Sequence, residues 1–297
     1  MRKFTNILKF VAGVVLVGLL FYWLDFEVIL ESSKTAIWEY LLVSFLLFLL
    51  TKFFYILRFY YLIDKKIIFL DIARVYLVSL IFTNILPTNV GGDFYRVMYL
   101  KQKLSGWKNS LTLIIIERFL GIVSLFLLGL FCLLINYDIF YVWLTKNIQL
   151  PINSFYILIL GCFLFLLVFY LLFKTFRKRL SVFLQLSKKT LSLLFGFSVL
   201  IHTFRALSLL FVLLGFNSFL GIDKIIIVIT LVAFSSLVSI TVGALGIKEG
   251  VMGFGFNFFG IQPELGVIAS LVERIFTFAL LPFSIYYFLQ FKKQLDV

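Results

Sequence analysis

The chain has 297 residues, of which 63% are apolar and 14% charged, with Phe alone contributing 39. Soluble domains run at about 45–50% apolar and about 25% charged, so an ordinary soluble enzyme is excluded. Two Cys, four Pro and 18 Gly likewise exclude a disulfide scaffold, collagen and disorder. The formal charge of +13 does not signal nucleic acid, because the basic residues cluster in short gaps between apolar runs. That pattern belongs to membrane topology and anionic-lipid contact.

The first apolar run, Phe4–Leu24, follows Arg2 and Lys3. Tyr22-Trp23-Leu24-Asp25 is too bulky for a signal-peptide cleavage site, so the run reads as a retained span. The second, Trp38–Leu62, carries Lys52 and Arg58; the third, Ala73–Leu86, is too short to cross comfortably and ends at Pro87. Leu111–Ile135, Phe155–Phe173 and Leu191–Leu214 follow, the last with His202 and Arg205 inside. Ile225–Val242 then runs into Gly243, Gly246, Gly250, Gly253 and Gly255, and Leu265–Leu289 completes the set. These runs are too long and apolar for barrel strands, and only helices satisfy the backbone in lipid. The expected fold is an all-α polytopic membrane protein of about eight hydrophobic helical elements forming a single transmembrane domain.

Lys and Arg set the orientation. Both termini are placed in the cytoplasm, and the segments near 73–95 and 225–258 dip in and return. Of the basic residues lying between the apolar runs, only Lys34, Lys146, Lys224 and Lys248 then fall outside. A simple crossing by the third run would send Lys101, Lys103 and Lys108 outside and destroy that asymmetry. Two short helices back to back satisfy the same count as a re-entrant segment.

One spacing recurs. Asp93 stands as far ahead of Glu117-Arg118 as Glu249 stands ahead of Glu273-Arg274. The shift that carries the first set onto the second also lays the first run on the fifth, the second on the sixth and the third on the seventh. Three crossings separate equivalent points, so the halves, approximately 1–140 and 150–297, are expected to be inverted repeats. Such repeats with broken elements characterise transporters, whose sites lie between the repeats.

Arg118 and Arg274 sit well inside apolar helices, where a central Arg costs about 2.5–3.5 kcal/mol on insertion scales. They are expected to face the bundle interior. Neighbouring Glu117 and Glu273 point elsewhere on the helix, which leaves Asp93 and Glu249 as the expected partners. One reading makes the two guanidiniums a phosphate receptor, their planar forks matching phosphate oxygens. The other makes them part of a salt-bridge network joining the halves. Gly91, Gly92, Gly243 and Gly246 are the expected chain reversals, since glycine permits φ > 0 and close approach. A short helix opening from such a turn would offer an anion site, although Gly250–Gly255 suits small-residue helix packing equally well. Lys52, Arg58, His202 and Arg205 read either as a basic path for a headgroup or a proton relay or, for Arg58, as snorkelling near a helix end and, for His202, as a satisfied polar contact. Cys132 and Cys162 are isolated thiols with no expected disulfide or metal role.

Leu86-Pro87-Thr88-Asn89-Val90-Gly91-Gly92-Asp93 with Arg96 resembles the first signature of the lysylphosphatidylglycerol-synthase transmembrane-region family, the flippase-like proteins. Gly243-Ala244-Leu245-Gly246-Ile247-Lys248-Glu249-Gly250 resembles the second, followed by Pro263-Glu264-Leu265, Arg274, Thr277 and Pro282. The chain departs from the family pattern at Thr88-Asn89 and Thr241-Val242. The resemblance spans nearly the whole chain and implies lipid or lipid-linked-sugar translocation without the aminoacyl-transferring half.

The expected partner is a phospholipid or polyprenyl-linked anionic lipid in a bacterial or archaeal cytoplasmic membrane. Arg118, Arg274, Arg96 and Lys248 are the expected substrate-binding residues, and Asp93, Glu117, Glu249 and Glu273 the gating or proton-carrying ones. In that scheme Glu117 and Glu273 orient the two arginines. No cofactor or metal is expected: a single His makes a zinc site improbable, and there is no Walker loop or G-x-S-x-G elbow. The competing classes are a membrane-embedded transferase with Asp93 as base and a scaffold for a cell-envelope complex.

Overall fold

The computed structural model describes residues 34, 36–85, 90–104, 106–148, 187–238, 241 and 243–295. The first and fifth apolar runs, residues 86–89 and Cys162 lie outside the described residues. Among the described residues the regular elements are all helices, as backbone in hydrocarbon requires. The chain is an all-α polytopic membrane protein.

Helix α1, Trp38–Leu62, has the bounds the apolar run predicts. It packs antiparallel to α6, Lys188–Gly215. Ile37 N donates to Gly215 O at 2.8 Å, Ser44 Oγ to Ser208 O at 2.7 Å, and Arg58 Nη1 to Ser198 Oγ at 2.9 Å. The pairing runs from the start of one helix to the start of the other. Small hydroxyl residues at the crossing admit the close approach that lets them bond across it.

Two helical hairpins flank this pair. The first joins α2, Phe69–Ile85, to α3, Val90–Lys103. Gly92 lies against Ser79 and Thr83, and Tyr95 stacks on Phe82 with ring centroids 4.9 Å apart. The second joins α7, Ile222–Val238, to α8, Ile247–Phe258, with Gly255 against Val228. The arms have 17, 14, 17 and 12 residues. At about 1.5 Å per residue all fall short of a hydrocarbon core of about 30 Å.

Helix α4, Trp107–Ile135, continues into α5, Tyr137–Ile148. Helix α9, Pro263–Ala279, continues into α10, Leu281–Leu295. The sequence predicts one unbroken helix over Leu265–Leu289; instead the ladder is interrupted at Leu280. Pro282, in the first turn of α10, has no N–H to offer the carbonyl four residues back. Among the described residues four stretches are long and apolar enough to cross a membrane: α1, α4, α6 and the joined run Pro263–Phe291. The starts of α4 and α9, Trp107 and Pro263, are separated by the same interval as Asp93 and Glu249.

Each long helix also leans on the other hairpin. Gly129 of α4 meets Thr230 of α7, and Asn136 Nδ2 donates to Asp223 Oδ2 at 2.6 Å. In turn α10 packs on the first hairpin through Phe288 against Phe82 and Tyr287 under the Arg74 guanidinium. A Cβ on Gly129 would strike Thr230, whose Oγ1 is already tied to Ile226 O at 2.7 Å and cannot swing away freely. Gly129→Ala is therefore expected to cost about 1–3 kcal/mol through overpacking, read as a lowered melting temperature in detergent.

Two apolar clusters organise the interior. One gathers Ile56, Phe59, Ile72, Leu100, Ile116 and Leu194; the other gathers Leu125, Leu209, Leu213, Ile225, Ile229 and Phe256. Helices α4 and α6 contribute to both. On α6 the polar residues His202 and Arg205 fall between the clusters, and on α4 Glu117 and Arg118 lie beside Ile116 and Leu120 of the first.

Candidate functional site

Those polar residues build two charge networks of the same design. In the first, Glu117 on α4 accepts hydrogen bonds from Arg58 Nη2 of α1, at 3.4 Å, and from Arg96 Nη2 of α3. Asp93, one helical turn before Arg96, accepts from Arg118 Nε at 2.7 Å and lies 3.6 Å from Arg96 Nη1. In the second, Glu273 on α9 takes a two-pronged grip from Arg205 of α6, Nε at 3.0 Å and Nη2 at 3.1 Å, and the Lys248 ammonium at 2.9 Å. Glu249 accepts from Arg274 Nε at 2.6 Å. In each network a Glu on a long helix receives one Arg from the central pair and one cation from a hairpin. In each, a hairpin acid holds the Arg that follows that Glu.

Local sequence explains these positions. Arg118 and Arg274 occupy the same position counted from the starts of α4 and α9, well inside each helix. Arg96 shares the inner face of α3 with Asp93 and packs its guanidinium over the Phe59 ring at 4.2 Å. Gly243 and Gly246 adopt φ of +57° and +84°, the left-handed region glycine enters without strain. The turn they make sends Arg274 Nη2 onto Gly243 O at 3.2 Å. Glu249 Oε2 accepts from Gly246 N at 2.7 Å, so the anion at the N-terminus of α8 is this protein's own carboxylate.

Three expectations are corrected. Gly91 and Gly92 lie in the first turn of α3 and not between helices; Gly92 permits the close approach of α3 to α2. Arg58 does not snorkel: it is 3% exposed, held by Glu117 and Ser198, because α6 crosses over that end of α1. Glu117 and Glu273 hold Arg58, Arg96, Arg205 and Lys248, while Asp93 and Glu249 orient Arg118 and Arg274. Arg58 and Arg205 were visible in the sequence as charges in apolar runs; what was missing was the crossing that brings each to a Glu on another helix.

Both networks line one cavity of about 620 Å³. Lys52, Tyr55 and Arg58 face it from α1, Asp93 and Arg96 from α3, and Glu117 and Arg118 from α4. From the other side come His202, Arg205, Lys248, Glu273 and Arg274. His202 Nε2 lies 3.1 Å from both Gly121 O and Ser124 Oγ. The two arginines are not equally exposed. The Arg118 side chain is 43% exposed and the Arg274 side chain 14%. Such a chamber can receive an anion and exchange its carboxylate partners for it.

Apolar helices long enough to cross a bilayer, enclosing an ionised interior chamber, define an integral membrane protein. The family model described as "Lysylphosphatidylglycerol synthase TM region" matches residues 6–283. The chain belongs to that family. Comparisons with curated proteins and with solved structures find no match.

Proposed function

We propose that this protein moves an anionic lipid, a phospholipid or polyprenyl-linked precursor, between membrane leaflets. The observation that carries the reading is the meeting of Arg118 and Arg274, at equivalent points of α4 and α9, in one chamber. In this proposal the chain is two inverted halves, 1–140 and 150–297, and the two hairpins are re-entrant arms meeting between them. The repeated networks and the matching helix starts support that reading. The excess of basic residues near one set of helix ends supports termini on the cytoplasmic side of a bacterial or archaeal membrane.

The headgroup enters from the open Arg118 side while its tail stays in lipid. Arg118 and Arg274 bind the phosphate, assisted by Arg96 and Lys248, and Asp93 and Glu249 gate the chamber by releasing and recapturing the arginines. Replacing a carboxylate by a phosphate keeps each guanidinium paired throughout, which avoids the cost of a bare charge in hydrocarbon. The protein carries no Walker loop, so movement runs downhill or on an ion gradient.

The test is reconstitution in liposomes with a fluorescent anionic phospholipid whose sidedness is read by chemical quenching. Arg118→Ala and Arg274→Ala are each expected to slow translocation at least about tenfold, one charge-assisted contact's worth. Native rates in both variants would refute the assignment. The alternative, a transferase using Asp93 as base, is disfavoured because Asp93 is already shared by Arg118 and Arg96. A new covalent lipid product by mass spectrometry would reinstate it.

A further inference from the structure

Among the described residues the charges of the chamber do not balance, and the imbalance is localised. In the first network Arg58, Arg96 and Arg118 share Glu117 and Asp93; in the second Arg205, Lys248 and Arg274 share Glu273 and Glu249. Counted over these described side chains, each keeps one positive charge in excess. Lys52 supplies a third. It lines the chamber from α1, packs its ammonium over the Phe48 ring at 4.5 Å, and among the described residues has no carboxylate within ion-pair distance. One further donor of a chamber-lining residue is unsatisfied: Arg58 Nε is buried without a hydrogen-bond partner among the described residues. Buried polar nitrogens are normally paired, and uncompensated cations at membrane depth are costly. The chamber is thus organised for an anion with more than one charge and several acceptor oxygens.

We infer that the cargo headgroup is a dianionic phosphate, a phosphomonoester or a diphosphate on a lipid tail, and that Lys52 is one of the groups that bind it. The inference rests on the translocation reading and narrows its substrate class. A phosphodiester with one charge leaves two of the three excess charges uncompensated. A headgroup of net positive charge, such as an aminoacylated phosphatidylglycerol, would add to the excess and is disfavoured. Terminal phosphate presents three oxygens, enough for Lys52 and an arginine fork together.

The experiment uses the full chain in phosphatidylcholine vesicles, with three tail-labelled fluorescent probes compared above the protein-free background. These are phosphatidic acid (a phosphomonoester), phosphatidylglycerol (a diester) and phosphatidylcholine (a zwitterion). Phosphatidic acid is expected to cross at least about tenfold faster than phosphatidylglycerol, since one charge-assisted contact separates them. Lys52→Gln is expected to bring that ratio close to one, and Lys52→Arg, which keeps the charge, to preserve it. Equal rates for the two anionic probes in the wild-type protein would overturn the dianion assignment while leaving translocation standing. Failure of all three probes to cross would overturn translocation itself. External pyrophosphate is expected to slow phosphatidic acid without entering the vesicles. Accumulation of labelled pyrophosphate inside would overturn the requirement for a lipid tail and make the chamber a route for a soluble anion.

Discussion

Glu273→Ala is expected to destabilise the protein by roughly 3–5 kcal/mol, the cost of stranding buried charges by removing their partner. Glu273 is 5% exposed and is the shared acceptor for Arg205 and Lys248, which arrive from two other elements, α6 and the start of α8. Its loss leaves two cations facing each other in the interior. Part of the cost is therefore repulsion, which the second substitution of a double-mutant cycle relieves. Glu273→Ala combined with Lys248→Ala is expected to be more stable than Glu273→Ala alone. Thermal unfolding in detergent reads the effect, at roughly 2–4 °C per kcal/mol for a chain of this size. A melting point within about 2 °C of the native value would show that the Arg205 and Lys248 charges find other partners. Glu117→Ala carries the same expectation, since Arg58 and Arg96 converge on it and Arg58 is buried against Ser198.

Much of this arrangement was legible in the sequence, for identifiable reasons. Hydrocarbon forces unbroken apolar runs, so α1 and the bulk of α4, α6 and α9 could be drawn from composition alone. The pairs Asp93 with Arg118 and Glu249 with Arg274 followed from an acid set at one fixed interval before each buried Arg, which otherwise needs a counter-charge. What could not be read was any contact depending on how helices cross. Arg58 lies near the end of α1 and had a cheap route to the interface; it is buried because the antiparallel α6 brings Ser198 over it while Gly121 of α4 closes from the side. The partners of Glu117 likewise come from α1 and α3, whose relative rotation no linear spacing encodes. Gly91 and Gly92 illustrate a second limit: the same glycine pair serves a reversal or a tight helix contact, and only the packing of α3 on Ser79 separates them.

The two hairpin acids, equivalent in the sequence, are expected to behave differently when removed. Glu249 is almost fully buried and serves three groups at once: it takes Arg274 Nε at 2.6 Å, caps Gly246 N at 2.7 Å and receives Ser270 Oγ at 3.3 Å. Deleting it frees a buried guanidinium and uncaps α8 beside the strained turn in which Ala244 also has a positive φ of 54°. Glu249→Ala is expected to cost roughly 3–5 kcal/mol, chiefly for the stranded charge, with loss of the cap adding about 1 kcal/mol. Asp93 holds Arg118, whose side chain is more exposed than that of Arg274, and its second partner Arg96 keeps Glu117 when Asp93 is lost. Asp93→Ala is therefore expected to cost only about 1 kcal/mol, as an accessible ion pair does, while still abolishing the partner exchange proposed for gating. The measurement is the pair of melting temperatures set beside the pair of translocation rates. Glu249→Ala should lose stability and transport together; Asp93→Ala should lower the melting point by only about 2–4 °C and lose transport. Equal destabilisation by both would mean that the chamber is sealed on the Arg118 side as well, and the proposed entrance would have to lie elsewhere.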